Sequence, residues 1–327
     1  MRAMDEMDGT DNSEGPRSEQ PPAFARWISP AAARRFAALE TFAAPRTASV
    51  ADLRAHYDRI NTARLAVARD RHDVEIRTEM VGGVPSHVVE PRSGARDDQI
   101  LVCLHGGAFI WGDGAGALIE AVPVAAVSGI AVVAIGYRLA PEHRFPAAVD
   151  DVVAVVRELR RRRPGIRIGL YGCSAGAVLT AQVVARLIAD RSPCPDAIAM
   201  LHAAGVEIGG DSLELAALTN GTADAVAVRA LHDLSYFDGT DVADPLIFPG
   251  EHADLLAAFP PSLLVSGTRD FAASSVTVMH RRLKAAGREA ELAMFDGMWH
   301  AHHVDVDLPE SAEVFALLAA FFQRHLV

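Results

Sequence analysis

Residues Ile168 to Gly176 read I-G-L-Y-G-C-S-A-G, an apolar run that enters a Gly-x-Ser-x-Gly turn. A helical segment follows from about Ala177. This is the form of a nucleophile elbow, in which a serine sits in a strained backbone conformation at the top of a sheet. Gly172 and Gly176 flank the serine because a Cβ at either place would run into the crossing strand and helix. Ser174 is therefore the candidate nucleophile. The five-residue pattern alone is a weak signal, since glycine and serine also cluster in ordinary turns. Its context strengthens it: I-R-I-G-L-Y before the turn becomes apolar like a buried strand, and A-V-L-T-A-Q-V-V-A-R-L-I after it has helical periodicity.

Working outward, V-E-I-R-T-E-M-V, Gly82-Gly83 and V-P-S-H-V-V-E predict a hairpin from Val74. I-L-V-C-L-H-G-G-A-F-I-W-G is a buried strand running into glycines, followed by a helix from about Ala115 to Ser128. I-A-V-V-A-I-G-Y is another buried strand, and Asp150 to Arg163 is helical. Beyond the elbow come the short strand A-I-A-M-L-H, the strands S-L-L-V-S-G-T-R-D and A-E-L-A-M-F-D-G, and a closing helix from Ser311 to His325. Apolar strands alternating with helices imply an α/β fold with a mostly parallel sheet covered on both faces. The stretch Gly205 to Pro249 breaks the rhythm with G-G-D-S, N-G-T and D-G-T turn signals. It is too long for a simple connection and reads as an insertion that covers a site. Before the first strand, Pro30 to Phe42 and Val50 to Asp70 are amphipathic, the second opened by a Ser49 cap, and could form part of a lid.

The chain has 327 residues and is 50% hydrophobic, enough for one large domain with a substantial core. Its net charge of −11 argues against a general nucleic-acid footprint. The basic run Arg160 to Arg163 reads as the solvated end of a helix, where cations complement the dipole. Three cysteines, Cys103, Cys173 and Cys194, form neither a disulfide framework nor a closely spaced zinc set. Residues 1–22 read as a polar, acidic, disordered tail with no signal peptide, and no apolar run is a convincing membrane span. A cytoplasmic location is the corresponding expectation.

A serine hydroxyl needs a general base, usually histidine, that is oriented by a carboxylate. In open parallel sheets such groups lie at the carboxyl ends of strands. Asp270 ends S-L-L-V-S-G-T-R-D, and His300 follows A-E-L-A-M-F-D through G-M-W. The order Ser174, Asp270, His300 is the one expected of α/β-hydrolases. His302 is the alternative base, and Asp296, Asp305 and Asp307 compete for the acid's place. An oxyanion hole also needs backbone N–H groups aimed at the developing charge. His105-Gly106-Gly107-Ala108 directly after a strand supplies them, and the N–H of Ala175 adds another. His105 is read as pinning that loop, and Cys173 as packing. Phe109, Trp111 and Trp299 are candidates to line an apolar substrate pocket, with core packing equally consistent with their positions.

From about Val74 onward the chain resembles the hormone-sensitive-lipase-like carboxylesterases, bacterial family IV of the α/β-hydrolases. Four blocks carry the resemblance: H-G-G-A-F at 105–109, Y-R-L-A-P-E-H-R-F-P-A-A at 137–148, G-C-S-A-G-A at 172–177 and D-G-M-W-H at 296–300. It implies an eight-stranded sheet with strand 2 antiparallel, and a helical cap built from residues 23–72 and an insertion at about 205–250. It further implies no cofactor, no metal, and a homodimer through the last strand and helix. It places the triad on Ser174, Asp270 and His300, the oxyanion donors on Gly107, Ala108 and Ala175, and loop-holding duties on Arg138, Pro141 and Glu142.

The chain departs from the family pattern in places. Ala108 stands where a third glycine is usual, and its N–H is expected to donate if φ is negative. Cys173 replaces a common aspartate, F-A-A-S-S follows Asp270, and Ala301-His302 replaces the usual Gly-Phe. The implied reaction is hydrolysis of short- to medium-chain carboxylic esters through an acyl-enzyme. A lactone hydrolase or an acyltransferase would use the same triad. A non-catalytic small-molecule receptor on this fold would be expected to lack the histidine, and this chain keeps one.

Overall fold

In a computed structural model of the chain, which describes residues 22–39, 48–220 and 230–327, the Gly82-Gly83 pair closes a hairpin between β1 (Val74–Val81) and β2 (Val84–Pro91). The two glycines have φ of 60° and 84°. Of the two-residue turns that match the right-handed twist of their strands, type I′ requires positive φ at both places. Six further strands follow: β3 (Gln99–Leu104), β4 (Val132–Ile135), β5 (Arg167–Cys173), β6 (Ala197–Leu201), β7 (Ser262–Gly267) and β8 (Ala290–Phe295). They make one eight-stranded sheet in the order β1-β2-β4-β3-β5-β6-β7-β8. β2 is antiparallel to both neighbours, and the other pairs are parallel.

The helices are α1 (Pro30–Ala37), α2 (Val50–Arg71), α3 (Ala115–Ser128), α4 (Ala147–Arg162) and α5 (Ala175–Ala189), then the short α6 (Asp211–Glu214), α7 (Ala216–Asn220) and α8 (Ala253–Leu256), and finally α9 (Ala273–Ala285) and α10 (Pro309–His325). The Ser49 cap is present as a reciprocal box, with Ser49 Oγ accepting from the Asp52 N–H and Asp52 accepting from the Ser49 N–H. α9 has no counterpart in the reading of the sequence, because its β-branched start, S-S-V-T-V, weakens the helical signal.

Alternation along the buried strands separates the two faces of the sheet. Ile100, Val102, Leu104, Ile168 and Leu170 share one core cluster with α4, α5 and α9. Leu101, Cys103 and Tyr171 share the other with α3 and α10. Gly169 brings α10 close, since a Cβ there would lie 2.5 Å from Leu101 and 2.7 Å from Phe322. Each fully buried Leu, Ile or Phe on these faces contributes roughly 1.5–3 kcal/mol.

Connections from β3 and β5, which are neighbours, leave in opposite directions, to β4 on one side and β6 on the other. A crevice opens at such a switch point, above the carboxyl ends of the strands. The N-terminal elements lie near it. α1 packs Ala32 and Phe36 on Met298, Trp299 and Leu308. Arg54 of α2 donates to the Ile110 and Ala140 carbonyls at 2.8 and 2.9 Å and pairs with Glu142 at 2.7 Å. Tyr236 and Phe237 of the 205–250 stretch are buried with Phe109.

Most of the segment read as a tail, residues 1–21, lies outside the described residues, as do 40–42 of the first amphipathic stretch and part of the N-G-T signal. Among the described residues, no helix is long and apolar enough to cross a membrane.

Candidate active site

β5 delivers Ser174 at φ 54° and ψ −120°, immediately before α5. A non-glycine residue at that φ is strained and persists only where its surroundings hold it. The Ser174 N–H is held by the Leu201 carbonyl at 2.8 Å. The flanking glycines are obligatory on distance: a Cβ at Gly172 would lie 2.4 Å from the Gly176 carbonyl oxygen, and one at Gly176 would lie 1.9 Å from that of Leu104.

Ser174 Oγ lies 2.9 Å from His300 Nε2. On its other side the His300 ring places Nδ1 2.8 Å from Asp270 Oδ1. The sequence candidates from three separate strand ends are thus brought into one chain of contacts. Thr268 helps to join the two loops that carry the base and acid, accepting from the Gly297 N–H at 2.8 Å and donating to Asp296 at 3.1 Å. Phe271 stacks on the His300 ring at 4.2 Å.

Asp270 is 1% exposed, yet it is not a bare charge. Oδ1 also accepts from the Ala272 N–H at 2.9 Å, and Oδ2 accepts from Ser266 Oγ at 2.8 Å and from His202 Nδ1 at 2.7 Å. Burial opposes the charged form, but the electrostatic pull of His300 and the hydrogen bonds from His202 and His300 outweigh it. The carboxyl is held well below the usual range. Burial also pushes the His202 imidazole down to about 4, against the pull of Asp270.

Among the described residues, none of the competing candidates joins the contacts of Ser174 and His300. His302 is wholly buried with neither ring nitrogen hydrogen-bonded, and it sits edge-on to His202. Asp296 accepts from Trp27 Nε1 at 2.8 Å, and Asp305 pairs with Arg35 and Arg64. Asp307 lines a separate surface cavity between α1 and α2. His202 itself was missed as a site residue. Its signal was its place at the carboxyl end of A-I-A-M-L-H, where site groups gather in parallel sheets.

The loop after β3 folds tightly: the Ile110 and Trp111 N–H groups donate to the Gly107 carbonyl at 2.8 and 3.0 Å. Gly107 has φ 117°, and a Cβ there would lie 2.1 Å from the Trp111 carbonyl oxygen. Ala108 corrects the expectation of a negative φ, having φ 52°, with Phe109 next to it at 61°. Its N–H belongs to the peptide unit shared with Gly107, whose freedom lets that unit turn. Among the described residues, no backbone carbonyl accepts from the N–H of Gly107, Ala108 or Ala175. A Cβ on Gly106 would lie 3.4 Å from that of Ser174, so the loop abuts the elbow. His105 Nδ1 is 2.7 Å from the Gly106 carbonyl, and its ring stacks on Tyr137, whose hydroxyl donates to the His105 carbonyl at 2.7 Å. Arg138 donates to Asp151 at 2.9 Å, holding the loop between β4 and α4.

A cavity of about 40 Å³ opens at Ser174, lined among others by Ala108, Ala175, Ala203, Leu231, Leu234 and Phe271. The three aromatic candidates do not line it. Phe109 is fully buried and stacked on Tyr236 at 4.0 Å, because the turn after Ala108 drives it into the core. Trp111 stacks on Tyr57 at 4.4 Å beside a separate cavity, and Trp299 is buried against Phe36. Cys173 is buried, where desolvation pushes its thiol well up and leaves it a packing group.

Comparison with known proteins agrees with this architecture. A family model described as the alpha/beta hydrolase fold matches residues 101–304, and the chain belongs to that family. It is similar to the acetyl-hydrolase of Streptomyces hygroscopicus, 29% identical over 71% of this chain and 78% of that protein. It is also similar to the acetyl esterase of Salmonella schwarzengrund, 27% identical over 67% of this chain and 69% of that one. A solved esterase of the bacterial hormone-sensitive lipase family superposes with a TM-score of 0.81 at 28% identity, covering 91% of this chain and 99% of its own. A mutant of esterase E40 gives 0.81 at 29% identity, covering 93% and 100%.

Proposed function

We propose that this protein is a serine carboxylesterase acting on esters of short carboxylic acids. The observation that carries the reading is the unbroken contact chain from Ser174 through His300 to Asp270, opening on a small, largely apolar cavity. His300 takes the proton of Ser174 as Oγ attacks the ester carbonyl. The N–H groups of Gly107, Ala108 and Ala175 stabilise the oxyanion, His300 hands the proton to the leaving oxygen so that the alcohol departs, and the same histidine, relieved of that proton, is the base for the water that hydrolyses the acyl-enzyme. The names of the related acetyl-hydrolase and acetyl esterase support an ester substrate, and a cavity of about 40 Å³ suits an acetyl group better than a long chain. Residues 23–72 and 205–250 act as the cap: Leu231 and Leu234 from the second segment reach the cavity, and Arg54 from the first ties α2 to the loops after β3 and β4.

The test is hydrolysis of p-nitrophenyl esters from acetate to palmitate by the wild type beside Ser174→Ala. Acetate and butyrate are turned over fastest, and the variant loses nearly all activity. A folded wild type inert on the whole series, or a fully active Ser174→Ala, overturns the reading.

A further inference from the structure

The triad carboxylate is held by two histidines, and the reaction described above uses only one. His202 stands at the end of β6 with φ 59°, its N–H held by the Val265 carbonyl at 2.8 Å. A histidine in the left-handed region is uncommon and calls for a reason at that position. Its side chain is wholly buried, and Nδ1 lies 2.7 Å from Asp270 Oδ2. An ionised carboxylate only accepts hydrogen bonds, so the proton of the ring sits on Nδ1. Nε2 is then a bare acceptor, and it has no hydrogen-bond partner in the interior.

Each oxygen of Asp270 therefore accepts twice. Oδ1 takes His300 Nδ1 and the Ala272 N–H, while Oδ2 takes His202 Nδ1 and Ser266 Oγ. Without the donors on Oδ2, only the two bonds to Oδ1 would resist rotation of the carboxylate about its Cβ–Cγ bond, and the aim of Oδ1 at His300 Nδ1 would loosen. Behind His202 the wall is further imidazole: His303 lies parallel at 5.3 Å and His302 edge-on at 5.0 Å. His303 is in turn hydrogen-bonded to the buried Glu120 at 3.1 Å. This packing keeps the His202 ring from swinging away from Asp270.

We propose that His202 is a positioning residue for ester hydrolysis: by holding the second oxygen of Asp270 it fixes the plane of the carboxylate, and through it the tautomer and aim of His300. The proposal rests on the triad reading above. His202 also borders the cavity at Ser174, but its ring is wholly buried and turned onto Asp270, so loss of His202 is predicted to lower kcat far more than it changes KM.

Two variants separate positioning from simple packing. His202→Asn keeps a side-chain N–H where Nδ1 sits and tolerates the left-handed backbone. His202→Leu keeps the bulk and removes the donor. With p-nitrophenyl acetate, the leucine variant is expected to lose about tenfold to a hundredfold in kcat, the weight of one hydrogen bond to a charged group. Its KM should stay within about threefold, and the asparagine variant should recover most of kcat. Proton NMR supplies a readout that survives if the leucine variant does not fold. The wild type should show two low-field imidazole N–H resonances on Asp270, and His202→Asn should lose one of them.

Wild-type kcat in a folded His202→Leu, or a loss of kcat in His202→Asn as large as in the leucine variant, overturns the proposal. So does a low-field spectrum unchanged by His202→Asn. An inert wild type, or activity surviving Ser174→Ala, would instead overturn the esterase reading, so the two failures are distinguishable.

Discussion

Acid should weaken this fold through His202, in a window set by its burial. The free imidazole titrates at 6.5, whereas the folded one is pushed down to about 4, chiefly by desolvation. Above the first value neither state holds the proton. Between the two, the unfolded chain binds a proton that the folded chain refuses, so stability falls as pH drops through the window. The slope is about 1.4 kcal/mol per pH unit, and the whole interval amounts to about 3 kcal/mol from this one ring. His302 and His105 are also pushed down by burial and act in the same direction. Asp270 has the opposite case: its carboxyl is held below 3.8, so the stability it contributes is present above that value and lost only in stronger acid. Urea unfolding of wild type and His202→Asn, measured between about pH 7 and pH 4.5, isolates the ring. The variant's stability should fall less steeply, by about 1.4 kcal/mol per unit once pH is well below 6.5. Parallel curves for the two proteins would refute the reasoning, because the ring would then be titrating alike in both states.

Gly176→Ala should destabilise the fold by more than about 3 kcal/mol or prevent soluble folding, because the new methyl would lie 1.9 Å from the Leu104 carbonyl oxygen; circular dichroism and a melting curve check this. Leu234→Ala, which enlarges the cavity at Ser174, should raise activity on hexanoate relative to acetate by roughly tenfold, read from kcat/KM across the ester series. Arg54→Ala strips donors from the Ile110 and Ala140 carbonyls and should lower Tm by about 2–4 °C in differential scanning calorimetry. Replacing Trp299 or Phe109 should change stability and leave the acyl-chain profile as it was, since neither lines the cavity at Ser174.

The sequence by itself determined the sheet and the elbow. Runs such as I-L-V-C-L and S-L-L-V-S-G are buried along their whole length, and the glycines at 172 and 176 leave no other residue room. These are local constraints, written within a few residues of where they act. The order Ser174, Asp270, His300 was legible for the same reason, each residue marking the end of its own strand or turn. Tertiary structure alone decided what surrounds them. No spacing in the chain reveals that His202, sixty-eight positions from Asp270, shares its carboxylate, because that contact exists only once β6 and β7 lie side by side. The choice between pocket lining and core packing, open for the aromatic candidates in the sequence, turns on similar grounds. Phe109 and Trp111 are close to the glycine loop after β3 in sequence, but the left-handed turn at Ala108 and Phe109 sends one ring into the core and the other toward α2. Which side chain faces a cavity is set by backbone direction summed over several elements, and the sequence records each element without recording that sum.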